Sequence, residues 1–340
     1  MPRTRSGRTT NDALLVVGVL TLALSSCSSS GSHRSSKAQK TTASSSSSTT
    51  APRRRTTVAP QFEQRYEPSL PDALQEGAAT VAGGQLYVVA GYDTARNSTN
   101  DVFVFDGKQW RSGPPLPIAL NHPGAASLGG RVYVVGGFTP NGTSDRGFVL
   151  KAHTSTWSEI APLHRARGAL ALVALRGHLY AIGGRDGSTE VGVPESYDPR
   201  SNTWTDLPAM NGARDHLAGY VDHGAICVAG GRTPVTSARV DCFDTATGKW
   251  TERSPLPTAT SGAAATLLAG ATVVAGGESA QETSLVKSVQ TLRAGQWQNQ
   301  PMLLARHGTA FARFGGRLWL CGGATSPGYA AVATCTSIGA

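Results

Sequence analysis

Six apolar segments of similar length recur along the chain, and each ends in Gly-Gly or, once, in Ala-Gly. They are spaced 46 or 47 residues apart. A short apolar run rich in Val, Leu and aromatic residues that stops at glycine is typical of a buried β-strand followed by a turn. The six segments are residues 86–91, 132–137, 179–184, 226–231, 272–277 and 318–323.

A tryptophan follows each of the first five segments at the same period. Two markers therefore keep one register through the chain, and each unit is long enough for four short strands. One such sheet cannot bury both of its faces alone, whereas sheets stacked radially around an axis can. The tryptophans are Trp110, Trp157, Trp204, Trp250 and Trp297.

The pattern resembles the Kelch repeat, with its glycine pair, the Tyr-like residue before the pair and the later tryptophan. The resemblance covers residues 61–340 and implies an all-β, six-bladed Kelch-type β-propeller with four-stranded antiparallel blades. Unit one departs from it with Ala90-Gly91, and unit six ends without a tryptophan or a fourth strand. The segment 62–67 is predicted to supply that strand, so that the N-terminal strand closes the ring.

The N-terminus has the pattern of an exported protein. Three arginines precede an apolar stretch at 13–24, which is too short to span a bilayer but suits a signal peptide. It ends in Leu24-Ser25-Ser26-Cys27, which resembles the bacterial lipobox and implies cleavage before Cys27 and lipidation of that cysteine. The alternatives are an ordinary secretory signal or an uncleaved anchor. We expect residues 1–26 to be the signal peptide and the protein to be lipid-anchored at the outer face of the cytoplasmic membrane.

The net charge of +9 lies almost entirely in the N-terminal 60 residues. Residues 27–60 hold six Lys or Arg, no acid and almost nothing to bury, which predicts a disordered Ser/Thr/basic linker. Its Arg53-Arg54-Arg55 cluster is either a contact for anionic lipid or wall polymer or a solvated charge run. The part from residue 61 is nearly neutral, so it lacks the basic surface that a nucleic-acid partner requires.

Four cysteines besides Cys27 are available for disulfides in an oxidising compartment. Cys227 and Cys321 fall on second strands two units apart, and each is followed within about 15 residues by another cysteine on the third strand of the same unit. We expect the pairs Cys227–Cys242 and Cys321–Cys335, with buried free thiols as the alternative. No Cys/His spacing resembles a zinc site, and neither a metal nor a cofactor is expected.

The connections between strands two and three, and between one blade and the next, share one mouth of the central channel. Counting back ten residues from the glycine before each second strand gives six equivalent positions, three of which are arginines. Fixed arginines suit an anionic or carboxylate-bearing ligand, although in Kelch-like repeats such an arginine also bonds to the adjacent blade. The six positions are Leu74, Leu120, Arg167, Arg214, Thr260 and Arg306. Their neighbours are Glu76, Asn121, His122, Asp215, His216, Ser261 and His307, and a second ring after the glycine pairs holds Tyr92, Phe138, Arg185 and Arg232.

The ligand-binding candidates are accordingly Arg167, Arg214, Arg306, Asp215, His216, His122, His307 and Glu76. The first functional hypothesis is a monomeric, non-catalytic module that binds a protein, peptide or glycan outside the cell. The alternative, by analogy with a six-bladed Kelch enzyme, is a sialic acid mutarotase (N-acetylneuraminate epimerase), with Asp215 or Glu76 and a histidine as acid and base. A copper oxidase resembling galactose oxidase is less favoured, because the cysteines lie in strands.

Overall fold

Six four-stranded antiparallel sheets and three two-stranded ribbons make up the part of the chain that the structure describes. The computed structural model describes residues 61–151, 153–279 and 282–340. The predicted signal peptide, the lipidation site Cys27 and the linker at 27–60 lie outside the described residues. Within the described residues, no helix is long and apolar enough to cross a membrane.

The sheets are the six blades of a β-propeller, which confirms the predicted fold. Blade one consists of β2 (Ala78–Ala82), β3 (Gln85–Tyr92), β4 (Ser98–Phe105) and β5 (Trp110–Ser112). Blade two consists of β6 (Gly124–Leu128), β7 (Arg131–Val135), β10 (Gly147–Lys151) and β11 (Trp157–Ile160). Blade three consists of β12 (Ala171–Leu175), β13 (His178–Ile182), β16 (Glu195–Asp198) and β17 (Thr203–Asp206). Blade four consists of β18 (Ala218–Asp222), β19 (Ala225–Ala229), β20 (Val240–Asp244) and β21 (Lys249–Glu252). Blade five consists of β22 (Ala264–Leu268), β23 (Ala271–Ala275), β26 (Ser288–Arg293) and β27 (Gln296–Pro301).

Blade six combines the two ends of the described chain. It consists of β28 (Ala310–Phe314), β29 (Arg317–Cys321), β30 (Cys335–Gly339) and β1 (Glu63–Glu67). Strand β1 pairs antiparallel with β30, from Glu63 opposite Gly339 to Glu67 opposite Cys335. The predicted closure of the ring by the N-terminal strand is therefore confirmed.

The ribbons extend the connections between second and third strands in blades two, three and five. They are β8 (Phe138–Thr139) with β9 (Gly142–Thr143), β14 (Arg185–Asp186) with β15 (Thr189–Glu190), and β24 (Glu278–Ser279) with β25 (Ser284–Leu285).

Each tryptophan of the first four units ties its blade to the preceding one. The indole Nε1 of Trp157, for example, donates a hydrogen bond of 2.9 Å to the carbonyl oxygen of Pro114, and Trp157 packs in one apolar cluster with residues of blades one and two. Trp110, Trp204 and Trp250 donate in the same way to Pro68, Ala161 and Pro208. The sequence period thus follows from a contact that repeats between neighbouring blades.

The glycine pairs are required because the next blade comes too close for a side chain. Gly136 has a φ of 67°, and a Cβ at this position would lie 2.3 Å from the carbonyl oxygen of Arg167. Blade one departs from this rule, since Ala90 holds the first glycine position with a φ of 54° beside a break in strand register.

Both predicted disulfides are present. Cys227 lies directly opposite Cys242 on β19 and β20, and Cys321 lies opposite Cys335 on β29 and β30. The Cα atoms are 4.0 Å and 4.1 Å apart. Each bridge joins the second and third strands of one blade, and both indicate an extracytoplasmic location.

Candidate functional site

A closed ring of six backbone hydrogen bonds surrounds the channel at one end of the first strands. In each blade, one residue just before the first strand donates its amide N–H to the carbonyl oxygen of the equivalent residue in the preceding blade, over 2.7 to 3.0 Å. All six residues have a positive φ, between 51° and 63°. This axial ring consists of Glu76, His122, Ala169, His216, Gly262 and Gly308.

The axial ring brings three polar side chains together on the propeller axis. Glu76 Oε2 lies 3.3 Å from His122 Nε2, and the rings of His122 and His216 are 4.9 Å apart in an edge-on arrangement. These side chains are mostly buried, with 9 to 13% of each exposed. Three of the predicted candidates therefore meet at one point, although they belong to blades one, two and four.

Burial and neighbouring charges set the protonation of this group. Burial lowers the pKa of His122 to about 3, against the opposing effect of Glu76. Burial also opposes the charge on Glu76, but His122 and a hydrogen bond from His307 outweigh it and hold the pKa of Glu76 well below its usual range. At neutral pH, Glu76 is therefore ionised.

His307 lies between two carboxylates beside the axial ring. Its Nδ1 is 3.3 Å from Glu76 Oε1, and its Nε2 is 3.4 Å from Glu278 Oε1. Burial works against a charged imidazole, but the hydrogen bond with Glu76 and the charges of both acids raise the pKa of His307. The predicted candidate His307 thus lies buried between two acids and orients Glu76.

Two arginines line the mouth above His216, and one buried carboxylate holds both. Asp215 Oδ1 lies 3.0 Å from Arg232 Nε, and its Oδ2 lies 3.3 Å from Arg185 Nε. Burial would raise the pKa of Asp215, but the adjacent His216 and the two guanidinium groups lower it. Arg185 remains 40% exposed and Arg232 19% exposed, so these side chains face solvent while Asp215 anchors them.

Aromatic side chains form the opposite side of the mouth. Tyr92 contacts Tyr329 with ring centroids 5.2 Å apart, and it contacts His122 at 5.8 Å. Phe138 lies between the two sides, 5.5 Å from His122 and beneath the guanidinium of Arg185. The mouth therefore has a cationic side and an aromatic side, and His122 and His216 lie between them.

The three arginines predicted to face a ligand are instead buried inside their own blades. Arg167, Arg214 and Arg306 are at most 1% exposed. Arg167 Nη2 binds Glu195 Oε1 at 2.5 Å, and Arg214 Nη2 binds Asp241 Oδ2 at 2.8 Å. Each arginine bonds across to the third strand of its own blade, so the structure corrects both the predicted ligand contact and the predicted bond to an adjacent blade.

The contact between the residue before the first strand and its partner on the third strand is made by different residue pairs in different blades. Blade two places Leu120 beside the third-strand position of Phe148, where blade three has Arg167 with Glu195. Arg306 has no carboxylate and donates instead to Thr336 Oγ1 at 2.6 Å and to the carbonyl oxygen of Gly322 at 2.6 Å. The identity of the third-strand partner explains where each arginine points.

Several residues of the mouth were missed by sequence reasoning. Glu278 follows the fifth glycine pair in the position of Arg185 and Arg232, and its bridge to Ser261 matches the bridge of Arg232 to Asp215. Counting one residue past that pair would have found it. Tyr329 gave no periodic signal, because it lies in the loop before β30.

Below the axial ring, the channel encloses about 520 Å³. Its wall comes from the first strands and consists mainly of small residues such as Ala78, Gly124, Ala171 and Ala263. Glu76, His122 and His216 of the axial ring also line this cavity, whereas Arg185, Asp215 and Arg232 do not.

Comparisons with known proteins agree with this architecture. The domain model described as KLHDC2/KLHL20/DRC7 Kelch-repeats domain matches residues 57–213. The solved structure of YjhT has the same fold, with a TM-score of 0.71. The two sequences are 15% identical, and the match covers 78% of this chain and 95% of the YjhT chain. A search of curated proteins gives no match. The repeat spacing, the six four-stranded blades and these comparisons show that residues 61–340 form a six-bladed β-propeller, which is similar to a Kelch-repeat domain over residues 57–213.

Proposed function

We propose that the propeller is a lipid-anchored extracytoplasmic binding module that captures an acidic glycan at the channel mouth. The observation that carries this proposal is the pair Arg185 and Arg232, held side by side by the buried Asp215. Arg185 approaches Asp215 through Nε, so its terminal nitrogens can bind two oxygens of a ligand carboxylate, whereas Arg232 adds positive charge beside it and also contacts Glu282. Tyr92 and Tyr329 offer aromatic surface for the apolar face of a sugar ring.

Replacing both mouth arginines should abolish binding to acidic glycans. The double substitution Arg185→Ala and Arg232→Ala removes both guanidinium groups but leaves the blades intact. On an array of acidic and neutral glycans, the double variant should lose binding to the acidic glycans only. Arg131→Ala is the matched control, because Arg131 is exposed at the opposite end of the channel. Binding confined to neutral glycans, or equal binding by the double variant, would contradict the proposal.

A second candidate function is sialic acid mutarotation, with Glu76 as the base and His307, whose pKa the same carboxylate raises, as the acid. An acid and a base that share one site are what ring opening of a sugar requires. The chain should then accelerate anomer exchange of N-acetylneuraminic acid in NMR exchange spectra, and Glu76→Gln should reduce that rate at least about 100-fold. An unchanged exchange rate in the presence of the wild-type chain removes this candidate.

The anchor is carried by the lipobox-like segment before Cys27. Cys27→Ser removes the thiol that would be acylated, so cells fed an alkyne-tagged fatty acid should label the parent chain but not the variant. Click-chemistry detection of the immunoprecipitated protein checks this expectation. A parent chain that takes up no label would instead favour an ordinary secretory signal or an uncleaved signal anchor.

A further inference from the structure

Glu76, His122 and His216 each offer one ligand atom at the propeller axis, and these atoms lie within 4.8 Å of one another. We propose that these three residues bind a divalent transition metal ion, with zinc as the first candidate. Two imidazoles and one carboxylate are a ligand set of zinc sites that keep one coordination position open. The ligands come from three different blades, so no local Cys/His spacing reveals them.

The hydrogen bonds around His122 turn its Nε2 toward the axis. Asn121 Nδ2 donates to Ser98 Oγ at 2.8 Å, which fixes the amide so that Asn121 Oδ1 accepts from His122 Nδ1 at 2.6 Å. Nε2 then faces Glu76 Oε2 at 3.3 Å. Unless Nε2 is itself protonated, these two atoms are both acceptors, and a metal cation between them satisfies both.

His216 lies in a related arrangement two blades away. Its Nδ1 is 3.2 Å from Asp215 Oδ1, an oxygen of the preceding residue, although this contact lacks the geometry of a hydrogen bond. Metal-binding histidines typically donate their second N–H to such an oxygen, which fixes the tautomer and orients the ring. Arg232 approaches His216 Nε2 at 3.5 Å, but its charge is balanced by Asp215 and Glu282.

Glu76 is held in place from the other side. Its Oε1 contacts His307, which leaves Oε2 for the axis. Gly308 makes room for this carboxylate, because a Cβ at Gly308 would lie 2.1 Å from Glu76 Oε1. The cluster therefore has an outer set of oriented partners for each of its three ligands.

A direct metal titration tests the proposal. The full-length chain, purified without a histidine tag and stripped with EDTA, should bind one Zn²⁺ per chain in isothermal titration calorimetry. His122→Ala and Glu76→Gln should remove this binding, and Asn121→Ala should weaken it about 10–100-fold by releasing His122 Nδ1. Co²⁺ should give the intense visible absorption of a four-coordinate site.

The chain offers a matched control at a second cluster, formed by His164, Glu195 and Asp206. Glu195 is already occupied by Arg167, so His164→Ala should leave zinc binding unchanged. Melting of each variant in EDTA shows whether its fold is intact. Absence of saturable zinc binding by the wild type, binding that survives in a folded His122→Ala variant, or loss of binding in folded His164→Ala would each overturn the proposal.

Discussion

Deleting residues 61–67 should unfold the propeller at a far lower temperature than the parent chain, because the deletion opens the ring at blade six. Strand β1 contributes five residue pairs to β30. The backbone of Phe62 is also held by Gln300 of blade five, whose Oε1 accepts from Phe62 N at 2.9 Å and whose Nε2 donates to Phe62 O at 2.8 Å. The closing segment therefore joins two blades as well as completing one.

A single substitution in this segment already has a large expected effect. Phe62 is 5% exposed, and truncating a buried Phe to Ala costs about 3–5 kcal/mol. At about 2–4 °C per kcal/mol, Phe62→Ala should lower the melting temperature by roughly 6–20 °C in differential scanning calorimetry, and the deletion should lower it further.

Tyr66→Ala is the matched control, since Tyr66 lies in the same closing segment but is 60% exposed. It should shift the melting temperature by no more than about 2 °C. A deletion variant that melts like the parent chain would contradict closure by the N-terminal strand.

The second large effect is expected at the buried ion pair of blade three. Glu195→Ala leaves the Arg167 guanidinium without its carboxylate, and it also removes the acceptor for the amides of His164 and Arg165. Breaking a buried pair by removing one partner costs about 3–5 kcal/mol. Urea unfolding should show this loss, whereas Arg165→Ala, which breaks an exposed pair with Asp206, should cost no more than about 1 kcal/mol.

The chain itself suggests a compensating double substitution. Blade two fills the same two positions with Leu120 and Phe148, so Arg167→Leu combined with Glu195→Phe replaces an ion pair by an apolar contact that this fold already contains. The double variant should recover most of the stability lost in Glu195→Ala, because no charge remains buried alone. A double variant less stable than Glu195→Ala would show that the pair has a further role.

The sequence predicted the fold, the closing strand and both disulfides because these features depend on contacts that repeat. A tryptophan recurs in the first five units and bonds to the preceding blade in four of them. A glycine that the next blade approaches recurs in units two to six, and the spacing of the two markers reveals the register. Cys227 and Cys242 then fall opposite each other once the second and third strands are aligned.

The direction of the arginines could not be predicted in this way. Position alone placed Arg167, Arg214 and Arg306 near the mouth, but the partner on the third strand decides where each guanidinium points. Where that partner is Glu195 or Asp241, the buried carboxylate holds the side chain inside the blade. The arginines that do face the mouth, Arg185 and Arg232, were noted only as members of a second ring.

The sequence does not reveal the backbone geometry that brings the three side chains together on the propeller axis. Glu76, His122 and His216 meet because their backbones adopt a positive φ, which is unusual for residues with a side chain. The backbone hydrogen bonds of the axial ring, which run from blade to blade, hold that conformation in place. No local propensity predicts it, since the closed ring exists only in the folded propeller.

The most direct test of the account is a crystal structure of the propeller soaked with N-acetylneuraminic acid. We expect density for the sugar at the channel mouth, with its carboxylate within hydrogen-bonding distance of Arg185 or Arg232 and its ring against Tyr92 or Tyr329. A sugar bound elsewhere, or a mouth that stays empty at saturating sugar in a lattice that leaves it open, would contradict the proposal.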